Sequence, residues 1–149
     1  MLAKVLKRVK KEEKGFTLIE LLAVIVIIGI IAVIAIPMIS NLLNKSRDNA
    51  DVATARQVYD AARMYITSEK NGDFKSVNSV TIASATGDSL VSKGYLESEL
   101  YLPSNKKKIT GGTVTFDKGN LSKVTINYED SGTKTEEFEA EEVLKSEKK

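Results

Sequence analysis

Residues 14–37 read KGFTLIELLAVIVIIGIIAVIAIP. From Leu21 to Asn44 no residue is charged, and between residues 16 and 43 the one charge is Glu20. About twenty consecutive apolar residues suffice to cross a bilayer as a helix. In lipid only intra-segment hydrogen bonding satisfies such a backbone, so a helix is expected here despite the Ile and Val content. A buried core helix is the competing reading. It fits poorly, because an all-round apolar helix this long needs a larger protein around it than the roughly one hundred remaining residues can form.

The charge distribution orients this segment. Residues 1–15 carry six cationic side chains, Lys4, Lys7, Arg8, Lys10, Lys11 and Lys14, against Glu12 and Glu13, a net +4. The whole chain is only +2, so the remainder is −2. A basic flank before an apolar span places the N-terminus in the cytoplasm and the rest outside. A secretory signal peptide has the same basic-then-apolar order. Here the apolar run exceeds a usual signal core, and Pro37-Met38-Ile39-Ser40 follows where a small-x-small cleavage pattern would stand. The acidic remainder offers no general attraction for nucleic acid.

Composition removes whole classes of chemistry. The 149 residues contain no Cys and no His. Disulfides, thiolate metal sites and thiol redox chemistry are therefore excluded. The commonest general base and zinc ligand is absent as well. No cofactor, no metal and no catalytic residue is expected, and an enzyme is the least supported reading. No Gly-rich phosphate loop is present, so any motor that moves the chain must be another protein.

The order Lys14-Gly15-Phe16-Thr17-Leu18-Ile19-Glu20, then an apolar run with Gly29 and Pro37, resembles the N-terminal signature of type IV pilins and pseudopilins. The resemblance covers about residues 14–45. It implies cleavage after Gly15 by a membrane prepilin peptidase, which also N-methylates the new terminus, Phe16. It implies subunits drawn from the inner membrane by an assembly platform and motor into an extracellular helical filament of identical or related pilins. The family often closes its head with a C-terminal disulfide, which this chain cannot form; cysteine-free subunits of the kind occur in Gram-positive bacteria. Residues 90–96, LVSKGYL, are also similar to heads of that type. They lead into Leu102-Pro103-Ser104-Asn105 rather than the Asp-Pro-Trp-Gly of calcium-binding secretion pseudopilins.

Each signature residue has a physical reading beside the family one. Gly15 lacks a Cβ, which lets a scissile backbone lie extended, though it could equally be a breaker between tail and helix. Glu20 is costly within an apolar helix and needs a partner. Cleavage supplies one, the α-amino group of Phe16, and the family places that contact between neighbouring subunits during assembly. The alternative is local: Thr17-x-x-Glu20 is a capping-box pattern. Pro37 has no N–H and crowds the carbonyl of Val33, and Gly29 weakens the helix by about 1 kcal/mol. Together they bracket a segment expected to kink or to melt when a filament stretches.

Past Pro37, Val52, Ala55, Tyr59, Ala62 and Ile66 recur at spacings of three and four, the apolar stripe of an amphipathic helix, with a coiled-coil seam as the rival. Arg47, Asp51, Arg56 and Asp60 are placed on other faces. Asn71-Gly72-Asp73 ends the helix. One helix over residues 16–70 would measure about 80 Å. Residues 72–112 carry no clear period, apart from a short capped helix over 88–94 and a turn before Pro103. Lys106, Lys107 and Lys108 form a charge run, a solvated loop or, in a DNA-uptake subunit, a DNA contact. The last third alternates over 114–116, 124–128 and 133–138, with turns at 117–120 and 130–132, a three-stranded meander whose apolar face should cover the helical stripe. Residues 141–149 read as a frayed, flexible tail.

The expected organisation is thus a leader at 1–15, an apolar transmembrane or filament-core helix at 16–44, and a head at 45–140, an α+β pilin-like fold. The expected function is a pilin of a type IV pilus, anchored in the bacterial cell membrane before assembly and extracellular afterwards. A pseudopilin of a competence or secretion system is the alternative within the class. A single-pass surface-binding protein that stays anchored is the alternative outside it.

Overall fold

A computed structural model of the chain describes residues 17–148. The processing positions Gly15 and Phe16 lie outside the described residues. The architecture is α+β and pilin-like. A 52-residue helix, α1 (Leu18–Glu69), precedes four strands, β1 (Ser79–Thr81), β2 (Ile109–Asp117), β3 (Asn120–Glu129) and β4 (Thr133–Glu139), and a short helix, α2 (Ala140–Lys145). The chain divides into two compact units, Met1–Asn41 and Leu42–Lys149.

In the first unit, no described residue is buried. This half of α1 is long and apolar enough to cross a membrane. The helix is continuous through Gly29 and Pro37. Pro37 offers no N–H, so the carbonyl of Val33 loses its usual donor while the helix carries on.

The second unit has its own core. Val52, Ala55, Ala62 and Ile66 of α1 are fully buried, and Tyr59 packs half-buried against Phe116, ring centroids 6.2 Å apart. Val58, Ala61 and Tyr65 widen the stripe. The sheet is antiparallel throughout, in the order β1-β2-β3-β4. One row of its inner face, Val80, Val114, Val124 and Phe138, runs across all four strands in register and is buried along its length. The turns fall where expected. Lys118 and Gly119, both at positive φ, join β2 to β3 as a two-residue hairpin loop, and the three residues Asp130-Ser131-Gly132, the last two at positive φ, join β3 to β4. Such loops need left-handed backbone, which matches the right-handed strand twist.

The sheet has four strands where the sequence leads one to expect three. The added strand, β1, is three residues long with one buried side chain, too short for a period-two signal. The expected helix over 88–94 is a single capped turn. Ser89 and Ser92 exchange hydrogen bonds at its start, and Gly94 (φ 78) closes it with bonds from Gly94 N–H to Val91 and from Tyr95 N–H to Leu90.

The reading of residues 141–149 as a frayed tail needs correction. Residues 140–145 form α2, whose Val143 is fully buried. The Arg56 guanidinium donates to the carbonyls of Val143 and Leu144 at 3.3 and 3.0 Å, capping the C-terminal end of α2 from α1. Beyond it, Lys148 Nζ meets Glu136 at 2.9 Å and lies over the Phe138 ring, and its N–H donates to Asn49. One buried valine contributes about 1.5–3 kcal/mol, enough to dock a segment that composition alone marks as solvated.

Candidate functional site

The candidate site is the start of α1. Thr17 and Glu20 close a reciprocal cap there. The Thr17 N–H donates to Glu20 Oε2 at 2.7 Å, and the Thr17 hydroxyl donates to the same oxygen at 2.8 Å. The Glu20 N–H returns a bond to Thr17 Oγ1 at 3.3 Å. These bonds satisfy orphan donors of the first helical turn, and a carboxylate near a helix N-terminus is favoured by the helix dipole. The local reading of Thr17-x-x-Glu20 thus holds within the described chain.

Both bonds converge on one carboxylate oxygen. An ionised carboxylate has about four lone-pair sites, so Oε1 retains acceptor capacity for a cation. Side chains of the helix around it are apolar and exposed; Leu18, Ile19 and Leu21 are 84, 72 and 54 % exposed. An acid in that setting, once water is withdrawn, is a strong point of attraction for a positive group.

Gly29 has nothing within 4 Å of where a Cβ would stand. Lys107 pairs with Asp130 at 3.3 Å and Lys108 with Glu99 at 3.0 Å. Two cations of the 106–108 run are therefore engaged by acids of the head itself, which suits a structured loop. Among the described residues no group of three or more His, Cys, Asp or Glu could hold a metal ion.

Sequence reasoning missed two features of the head. Asp51, placed on a polar face, is 1 % exposed and accepts the Ser104 N–H at 2.9 Å. Its position next to Val52, one turn before Ala55, was the available signal. The second is a groove of about 540 Å³ between α1 and the turn at 95–97, lined by Arg56, Gln57, Asp60, Met64 and Tyr95 among others. It depends on the turn at 90–97, in a region without periodicity.

Residues 10–36 match the family model described as the prokaryotic N-terminal methylation motif. The chain therefore carries a prepilin-type N-terminal signature. No curated protein and no solved structure matches the chain. The matched segment includes Thr17 and Glu20 and ends just before Pro37, so the geometry above belongs to the motif itself. With the apolar helix, the motif supports membrane anchoring of a pilin-like precursor and points to a structural subunit rather than an enzyme.

Proposed function

We propose that this chain is the structural subunit of an extracellular type IV pilus-like filament. It is made as a prepilin with a cytoplasmic N-terminus, cut after Gly15 and N-methylated at Phe16 by a prepilin peptidase. The observation that carries the reading is the methylation motif running into a helix half in which no described residue is buried within its own chain. Such a surface requires lipid or other helices. Lipid tails and a bundle of like helices are similarly apolar, so moving from one to the other need not be steep.

Cutting after Gly15 removes the +4 leader and keeps the anchor. The α-amino group it frees is cationic near neutral pH, with a pKa of about 7.7–8.0. Paired with Glu20 of an adjoining subunit at about 4 Å, it would contribute about 4 kcal/mol at an effective dielectric near 20, before desolvation. A buried charge pair of this kind fixes register better than it adds stability. Gly29 and Pro37 then mark the part of the helix that yields when the fibre is pulled. Assembly uses a membrane platform and an external motor. DNA, through Lys106, Lys107 and Lys108, is a partner only if the filament serves uptake.

The mass of the chain from sheared surface material tests the reading. Loss of residues 1–15 with one added methyl is expected. A full-length chain that stays with the membrane would instead make it a permanently anchored surface protein.

A further inference from the structure

The head carries a polar cavity that the filament reading leaves without a role. It measures about 280 Å³ and lies between the end of α1, the strand β1 and the turn at 88–94, lined by Tyr65, Lys70, Ser79, Thr81, Asp88 and Ser89 among others. Its polar groups do not satisfy one another. Tyr65 is 8 % exposed, yet its hydroxyl makes no hydrogen bond among the described residues. That hydroxyl is not sealed in protein either, since Arg56 Nε is the one enclosed side-chain polar atom without a hydrogen bond among them. It therefore faces open space, and the cavity is the space that Tyr65 lines. Lys70 Nζ stands over the same ring at 6.0 Å and makes no ion pair among the described residues. The nearby acids are engaged: Asp88 meets Lys93 at 3.5 Å, and Asp73 accepts the N–H groups of Lys75 and Ser76. The third wall is an open strand edge. Asn78 and Ile82 bond across to Phe116 and Gly112, so the alternating Ser79 and Thr81 turn their backbone groups away from β2. The Leu90 N–H takes the Thr81 carbonyl, which leaves the Ser79 N–H and carbonyl and the Thr81 N–H without a partner among the described residues.

We propose that this cavity binds a carboxylated sugar, one ring in size. The proposal goes beyond the filament reading and does not depend on it. Charge selects the acid: the charge on the wall that no neighbour answers is the Lys70 ammonium, and a carboxylate gives it a charge-assisted hydrogen bond. The mixture of donors and acceptors selects the hydroxyls. The Ser79 edge offers one of each, and the Tyr65 hydroxyl can give or take. A sugar hydroxyl does both at once, whereas a bare anion would leave the Ser79 carbonyl unmet. Size sets the limit. Ligand pockets run from about 300 Å³ upward, so a cavity of about 280 Å³ admits a single ring and not a chain of them. A buried hydroxyl is costly to leave unbonded, and the ligand would relieve Tyr65 of that cost.

Full-length chain in an uncharged detergent without a sugar headgroup is titrated with glucuronate, and with glucose and acetate for comparison, while the amide signals of Ser79 and Thr81 are followed by NMR. Saturable shifts with glucuronate are expected. Glucose and acetate should each bind at least about tenfold more weakly, since each lacks one half of the match. Lys70→Gln should weaken glucuronate about tenfold, and Lys70→Arg should keep most of the affinity. Tyr65→Phe retains the ring and should weaken it about threefold or more. No saturation with glucuronate overturns the proposal. Glucose or acetate binding as tightly as glucuronate overturns the assignment of a carboxylated sugar. Glucuronate affinity unchanged in both Lys70→Gln and Tyr65→Phe places any binding elsewhere and overturns the site. Should Tyr65→Phe disturb the fold, Lys70→Gln, at an exposed position, decides alone.

Discussion

Asp51 Oδ1 accepts the backbone N–H of Ser104 at 2.9 Å across 53 residues of sequence, at a site where Asp51 is 1 % exposed. This bond anchors the loop after Leu102 to α1. Its acceptor is a carboxylate, and hydrogen bonds to charged groups contribute about 1.5–3 kcal/mol. Asp51→Ala leaves the Ser104 N–H without its acceptor and should destabilise the head by about that much. Asp51→Asn keeps an acceptor oxygen and should lose less. Urea unfolding of the chain in detergent, followed by near-ultraviolet tyrosine dichroism, compares the two. Equal losses would show that the bond does not hold the loop.

Gly112 permits the approach of β2 to β3. Its φ is 123°, and a Cβ there would stand 2.1 Å from the Thr125 carbonyl oxygen. Gly112→Ala combines left-handed strain with overpacking against backbone, about 2–5 kcal/mol together. Gly29→Ala meets nothing within 4 Å and removes about 1 kcal/mol of helix weakness. Melting temperature should fall sharply for the first variant, whereas the second should leave the head's transition unchanged.

The head should weaken in acid partly through Asp130. Lys134 at 3.0 Å and Lys107 at 3.3 Å hold its carboxyl below the usual aspartate value, the hydrogen bond from Lys134 being the larger cause. A depressed folded pKa gives stability that is present above the unfolded value of about 3.9 and is lost as pH falls through the folded one. Asp130→Asn should therefore show a smaller loss than the parent chain between about pH 5 and pH 2. Parallel curves would remove Asp130 from the acid response.

Thr17 and Glu20 can be separated genetically. Thr17→Val removes the hydroxyl from both of its bonds and should cost the first turn of α1 about 1 kcal/mol, with filaments still formed. Glu20→Ala removes the cap and the charge together and should abolish assembly. If filament yield on electron micrographs fell equally for both, Glu20 would be a cap and nothing more.

Legibility in the sequence followed the range of the signal. The apolar half of α1 was plain because its uncharged run is unbroken over more than twenty residues, and the Val52–Ile66 stripe because helical periodicity repeats over several turns. The strands β3 and β4, and the end of β2 at 114–116, were plain because each alternates beside a recognisable turn, whereas the start of β2 from Ile109 lay in the stretch without a period. The Thr17–Glu20 cap is a four-residue pattern and was readable for that reason. Single long-range events were not. Strand β1 is three residues that pair only because β2 offers an edge. The docking of α2 depends on Val143 and on an arginine 87 residues away. Asp51 looked polar because its acceptor role is met by a loop that no local pattern places.

The N–H of Lys148 donates to Asn49 Oδ1, a closure spanning 99 residues. Contacts of such separation form late, because loop entropy is lost before they stabilise anything. Synthesis is vectorial, so the lipid-seeking rod exists long before the buckle that fastens the rest. A translation product stopped short of Val143 would still find the bilayer, yet would present an unfastened domain to whatever proteases patrol there.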